Sequence, residues 1–133
     1  LKNLDEKVAV VTGAGSGIGR TIALALAAEG CQLAISNINE QELQATQGML
    51  EAFNVKVHAR RLDVADRQAF YEYADEVAEA FGKVNIVINN AGVTVNGSLE
   101  NTSIEDFEWI MNINFWGTVH GSMAFLPYLK QSG

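Results

Sequence analysis

The chain of 133 residues has one cysteine, one proline, two histidines, and only 9 Lys and Arg against 16 Asp and Glu. Each shortage closes off a class of function. Cys31 has no partner for an internal disulfide, and its place between a helix and an apolar run reads as a buried thiol, not a reactive one. His58 and His120 are isolated from any second His or Cys at ligand spacing, so no metal site is expected. A net charge of −7 leaves few cations to build a basic face, which argues against nucleic acid as a partner. No apolar run approaches the about 18 residues of a membrane span. The polar opening LKNLDEK is unlike a signal peptide, and the expectation is a cytoplasmic protein.

Against these shortages stand 48% hydrophobic and 19% charged residues, the balance of a soluble globular chain of one domain. No internal repeat, low-complexity tract or linker interrupts it. Short apolar runs alternate with segments of helical period, which predicts parallel strands joined by helices. KVAVVT (7–12) is apolar almost throughout, as a strand buried on both faces should be. A helix is expected over 18–30, ending on Gly30, then a strand over 31–36 and a helix over 39–53 weakened by Gly48. The less apolar stretch 55–64 predicts a strand near a sheet edge. A helix over 66–82 follows, capped by Asp66 and stopped by Gly82, then a strand over 84–89. Ser103, with Asp106 three positions on, opens a last helical segment to about Gln131 that Pro127 can kink without ending. Apolar residues circle most of that segment, which predicts packing on the sheet with one side and on a partner chain with another. Trp109, Met111 and Trp116 are read as core or interface residues, and His120 as a satisfied polar residue. Arg60 and Arg61 read as a solvated face.

The densest signal is TGAGSGIG (12–19), which follows the first strand and opens the first helix. In that context a glycine-rich turn becomes a phosphate cradle. Gly13 permits a tight turn, Gly17 lets the backbone approach a pyrophosphate, and Gly19 allows the helix to lie close to the strand. The G-x-G-x-x-G spacing fails at Ile18 or Arg20, whichever glycine it starts from. What fits is G-x-x-x-G-x-G through 13, 17 and 19, with Gly15 an extra small residue in the turn.

That form, together with NNAG (89–92), LDV (62–64) and NFWG (114–117), resembles the short-chain dehydrogenase/reductase family in its shorter, single-domain branch. The resemblance implies a Rossmann-type α/β fold, a doubly wound parallel sheet with helices on both faces, of which residues 1–133 are the incomplete N-terminal part. It implies that Gly13, Ser16, Gly17 and Ile18 line the pyrophosphate and the nicotinamide side of a dinucleotide, that Asp63 and Val64 border the adenine, and that Asn90, Ala91 and Gly92 meet the nicotinamide ribose. It matches Asn114 to the asparagine of the family's Asn-Ser-Tyr-Lys set, which holds a water linking the lysine to solvent. Read without the family, Asn114 is an ordinary helical asparagine that bends its segment. Asn89, at a strand end, is expected to tie neighbouring strands through its amide, and Thr12 is expected to be structural.

Cofactor choice is read at the end of the second strand, where an acidic side chain would bond the adenosine ribose hydroxyls and repel a 2′-phosphate. Asn37 stands there instead. An amide can bond the hydroxyls but repels a phosphate little, and the basic residues an NADP site wants are absent at Ser16 and Ile38. The reading is NAD, with NADP tolerated. The family's Ser and Tyr-x-x-x-Lys are expected beyond residue 133, since Tyr71, Tyr73 and Tyr128 are followed four residues on by Asp75, Val77 and Ser132.

The function implied is an NAD(P)-dependent oxidoreductase acting on a secondary alcohol or ketone, as a homodimer or homotetramer through the 103–131 helix. The alternative is a catalytically inactive dinucleotide-binding regulatory or structural subunit. A sugar-nucleotide epimerase of the extended branch is disfavoured by the glycine spacing. VTVNGSLENTS (93–103) is a candidate wall of a substrate site.

Overall fold

A computed structural model describes residues 3–93 and 98–132. Four parallel strands, β1 (Val8–Thr12), β2 (Gln32–Asn37), β3 (Val57–Arg61) and β4 (Ile86–Ile88), form one sheet in the order β3-β2-β1-β4. β1 is central, and all five of its residues are buried because both faces of the sheet are covered there. Ala9 and Val11 face one apolar cluster with Leu33, Ile35 and Leu43, while Val10 faces the other with Ala34, Phe70 and Val77. This two-sided burial is why the strand carries no polar alternation. β3 lies at an edge, as its composition predicts.

The helices are α1 (Gly17–Ala28), α2 (Glu40–Leu50), α3 (Arg67–Phe81), α4 (Ile104–Ile110) and α5 (Gly117–Ser132). α1 and α2 cover one face of the sheet, and α3 and α5 cover the other. The expected caps form: Asp66 Oδ1 accepts from the Ala69 N–H at 3.1 Å, and Ser103 Oγ accepts from the Asp106 N–H at 3.1 Å. Gly82 ends α3 in the left-handed conformation at φ 76°. Between α3 and α5, Phe125 meets Phe70 and Tyr73 edge-on, with centroids 6.4 and 6.1 Å apart. All three rings are fully buried, and truncating one of them to Ala would cost about 3–5 kcal/mol.

The expected single helix over 103–131 is continuous but not uniform. Its middle, Met111–Trp116, is a wider π-helical turn between α4 and α5. Two anchor points account for the change of pitch. Asn114 is bonded to the loop after β4, and Gly117 lies so close to Val64 that a Cβ there would sit 2.7 Å from Val64 Cγ2. An extra residue in the turn lets one helix meet both, and such turns recur at functional sites. The outward side of the segment exposes Phe107, Met111, Phe115, Trp116, Met123 and Leu126. Of the candidate wall 93–103, residues 94–97 lie outside the described residues, and Leu99–Asn101 form a short 3-10 turn.

Candidate functional site

After β1 the chain moves outward to β2 and β3, then crosses back to place β4 on the other side of β1. The switch point therefore lies between β1 and β4, where a parallel sheet opens a crevice beyond its carboxyl ends. The turn after β1 and the turn after β4 are tied together there. Thr12 Oγ1 accepts from the N–H groups of Asn90 (3.1 Å) and Ala91 (3.2 Å), and Asn90 Nδ2 donates to the Gly13 carbonyl at 3.1 Å. The tie expected of Asn89 is thus made by Asn90. Asn89 points to the other face, where its Nδ2 donates to Ser122 Oγ and its Oδ1 is buried with no partner. Gly121 makes room for it, since a Cβ at 121 would lie 2.1 Å from that oxygen.

The glycines answer different demands. A Cβ on Gly19 would sit 2.0 Å from the Gly13 carbonyl oxygen, and one on Gly13, at φ +65°, 2.8 Å from Ala91 Cα. These two make room for the chain itself. Gly15 makes room for Asn37, whose Nδ2 would be 2.3 Å from a Cβ at 15. Gly17, at φ +54°, faces open space.

The first turn of α1 is where the site can hold an anion. Ser16 is its N-cap residue, yet the Ser16 side chain makes no capping bond, whereas Asn39, Asp66 and Ser103 all cap their helices. N–H groups left uncapped at the positive end of a helix of 12 residues, beside an open glycine, suit a phosphate. The residues therefore fit the pyrophosphate of a dinucleotide.

A cavity of about 360 Å³ opens against this turn. It is lined by Gly13, Ser16 and Asn37 from the first two strand ends, by Asp63 and Val64 after β3, and by Asn90, Ala91 and Gly92 after β4. Gly17, Ile18 and Asn114 do not line it, and Ile18 is 73% exposed. Sequence reasoning gave no site role to Glu42, Trp109 and Ile113, which do line it, as do Ile38 of the cofactor-choice position, Leu62 of the LDV stretch and Val93 of the candidate wall. Trp109, read as core or interface, is half-exposed on the cavity wall, on a helix α4 that buries none of its residues.

Asn37 differs from expectation. It is 8% exposed and its amide is turned inward: Oδ1 accepts from the Gly15 N–H at 3.1 Å, and Nδ2 donates to the Asn39 carbonyl and to Glu42 Oε1. Both amide protons are spent on the protein, so this group braces the turn and has none left for a ribose hydroxyl.

The same turn is braced from α2. Thr46, fully buried, donates to the Ala14 carbonyl and accepts from Arg20 Nε, both at 2.8 Å, and Arg20 also donates to the Gly15 carbonyl. Across the crevice, Asn114 Oδ1 accepts from the Val93 N–H and its Nδ2 donates to the Val93 carbonyl, each at 2.8 Å. Asn114 thereby fixes the strand-end loop to the wide turn. Asp63 Oδ1 accepts from the Ala65 N–H, and His120 Nδ1 contacts the Val64 carbonyl at 3.1 Å. These bonds hold the LDV stretch in the cavity wall.

None of the tyrosines lines the cavity. Burial pushes the Tyr73 phenol well above its ordinary pKa, and a hydrogen bond to the Asp75 carboxylate raises that of Tyr128. The thiol of buried Cys31 is pushed up by burial and by the Glu29 and Asp5 carboxylates, which keeps it protonated and inert. Among the described residues no three His, Cys, Asp or Glu side chains are grouped to hold a metal ion, and no helix is long and apolar enough to cross a membrane.

Residues 7–133 match the family model described as short chain dehydrogenase. A Mycobacterium tuberculosis protein provisionally named oxidoreductase SadH is 43% identical over 133 residues, covering 100% of this chain and 48% of its own. The C alpha-dehydrogenase of a Sphingobium species is 31% identical over 134 residues, covering 100% of this chain and 44% of its own. Among solved structures, a short chain dehydrogenase/reductase from Burkholderia phymatum in complex with NAD superposes with a TM-score of 0.92 at 39% identity, over 97% of this chain and 46% of that one. The chain spans about half the length of the curated relatives it matches.

Proposed function

The chain belongs to the short-chain dehydrogenase family, and from that premise we propose that it forms the dinucleotide-binding part of an NAD(P)-dependent oxidoreductase that interconverts a secondary alcohol and a ketone. The observation that carries the reading is the uncapped first turn of α1, whose N-cap residue Ser16 lines the crevice at the switch point. The similarity to a Burkholderia phymatum structure in complex with NAD supports the same ligand class.

The chain's own residues then divide the work. The N–H groups at the start of α1 hold the linked phosphates, with no basic side chain needed. Asp63, Val64 and Trp109 border the adenine end, and Asn90, Ala91 and Gly92 border the nicotinamide ribose. The bound nicotinamide supplies the hydride chemistry. Asn114 is a positioning residue: its paired bonds to Val93 hold the loop that follows Gly92 against the wide turn.

The exposed apolar side of α4, the wide turn and α5 is the surface through which a homodimer or homotetramer assembles. A cytoplasmic location goes with this reading. The test is to titrate the full-length protein with NADH, then follow the absorbance of the reduced nicotinamide with a panel of secondary alcohols and ketones. Micromolar NADH binding with turnover of a panel member is the expected result. Binding with no turnover across the panel would favour the regulatory subunit, and no binding would remove the dinucleotide reading itself.

A further inference from the structure

The end of β2 is where a charge that distinguishes NAD from NADP is looked for, and here that place is neutral. Asn37 is also occupied, with Oδ1 on the Gly15 N–H and both amide protons on the Asn39 carbonyl and Glu42 Oε1. Its partner Glu42 is a different matter. It stands on the first turn of α2, is exposed, lines the cavity beside Ile38 and Ser16, and carries the carboxylate that Asn37 cannot.

We infer that Glu42 supplies the negative charge that excludes a 2′-phosphate, so that the site takes NAD(H) in preference to NADP(H). The acidic group has in effect moved from the strand end to the helix that follows, and Asn37 holds it there at 3.3 Å. The inference rests on the dinucleotide reading above and gives that site its specificity.

Three further observations point the same way. First, among the described residues lining the cavity there is no Lys or Arg, while Glu42 and Asp63 are both present. Second, neither Arg20 nor Arg61, which pairs with Asn37 across the sheet, lines the cavity. Arg20 Nε donates to Thr46 Oγ1, and its Nη2 donates to the Gly15 and Glu42 carbonyls. Those bonds turn the Arg20 guanidinium toward the turn and α2, outside the cavity lining. Third, one of the donors at the α2 N-terminus is already taken, because Asn39 Oδ1 accepts from the Glu42 N–H at 2.9 Å. A 2′-phosphate would therefore meet a carboxylate with no cation in the described cavity lining beside it.

A merely structural role for Glu42 is possible in chemistry, since an acidic residue in a first helical turn is favoured by the helix dipole. Glu40 occupies the same turn and does not line the cavity, which makes it the control.

The experiment measures NADH and NADPH dissociation constants by isothermal titration on the full-length protein and on Glu42→Gln and Glu40→Gln. Glutamine at 42 retains an oxygen to accept the Asn37 amide proton, so the brace survives and only the charge is lost. The wild type is expected to bind NADH at least about tenfold tighter than NADPH, a gap of about 1.4 kcal/mol. Glu42→Gln is expected to narrow that gap about fivefold or more, through tighter NADPH binding with NADH affinity held within about twofold. Glu40→Gln is expected to leave the ratio unchanged. An unchanged ratio in Glu42→Gln, an equal shift for both nucleotides, an equal effect of Glu40→Gln, or a wild type that prefers NADPH overturns the inference while leaving the dinucleotide reading standing. A wild type that binds neither nucleotide overturns both.

Discussion

Thr46 offers the sharpest test of how the glycine turn is held. Its side chain is fully buried, and its hydroxyl sits between two elements, accepting from Arg20 Nε and donating to the Ala14 carbonyl at 2.8 Å each. Valine at 46 fills the same volume, so no cavity opens and no clash forms; what is lost is the pair of bonds. The Ala14 carbonyl is left buried without its partner, at about 1–3 kcal/mol, and Arg20 Nε loses a charge-assisted bond. Arg20 is only half-buried, so water can take over part of its loss. The sum is a destabilisation of about 2–4 kcal/mol, to be read from the urea midpoint of the full-length protein at unchanged slope. Thr46→Ser keeps the hydroxyl and should fall within about 1.5 kcal/mol of the wild type, its loss limited to one methyl group. Because Ala14 and Gly15 lead into the phosphate turn, Thr46→Val should also weaken NADH binding, and Thr46→Ser should not. A Thr46→Val midpoint matching that of the wild type would refute the idea that α2 braces the cradle.

The remaining glycine, titration and positioning effects are equally open to measurement. Gly19→Ala puts a Cβ 2.0 Å from a backbone oxygen that cannot yield, and should weaken NADH binding at least about tenfold, whereas Gly48→Ala, on an exposed helical position with nothing within 4 Å, should stabilise the protein by about 0.5–1 kcal/mol. The Tyr73 phenol has its folded-state pKa raised by burial, so its contribution is intact below the unfolded value of about 10 and is lost as pH climbs beyond it. Its hydroxyl faces only Ser36 Oγ, and both are buried outside hydrogen-bond geometry, so Tyr73→Phe should cost less than about 1 kcal/mol at neutral pH and should hold its melting temperature better than the wild type in alkaline melts. Asn114→Ala removes both bonds to Val93 and should lower turnover about tenfold or more while leaving the NADH dissociation constant within about threefold, a split that titration and steady-state kinetics together would reveal.

What could be read before the structure, and what could not, follows from the range over which each signal acts. The burial of β1 on both faces is written in five consecutive residues, and the caps at Asp66 and Ser103 act over three positions. The greater polarity of an edge strand is likewise local to 57–61. The membership of Gly13, Asp63 and Asn90 in one crevice came from motifs in register, and the sheet order brings their strand ends together.

The features that escaped notice are meetings between residues far apart in the chain. Thr46 lies 32 residues from the carbonyl it holds, and Asn37 lies 22 residues from the amide it accepts. Periodicity places Thr46 on a helix but cannot name its partner. Gly15 shows how much this matters. Taken alone it read as an extra small residue in the turn, yet its missing Cβ is the space into which Asn37 folds, and Asn37 in turn reaches Glu42. Through that coupling, a methyl group at position 15 should push the Asn37 amide off Glu42 and shift the ratio of NADH to NADPH dissociation constants as well as disturbing the turn. A glycine in the phosphate turn would then act on the ribose end of the ligand, a connection that no local pattern in the chain could express.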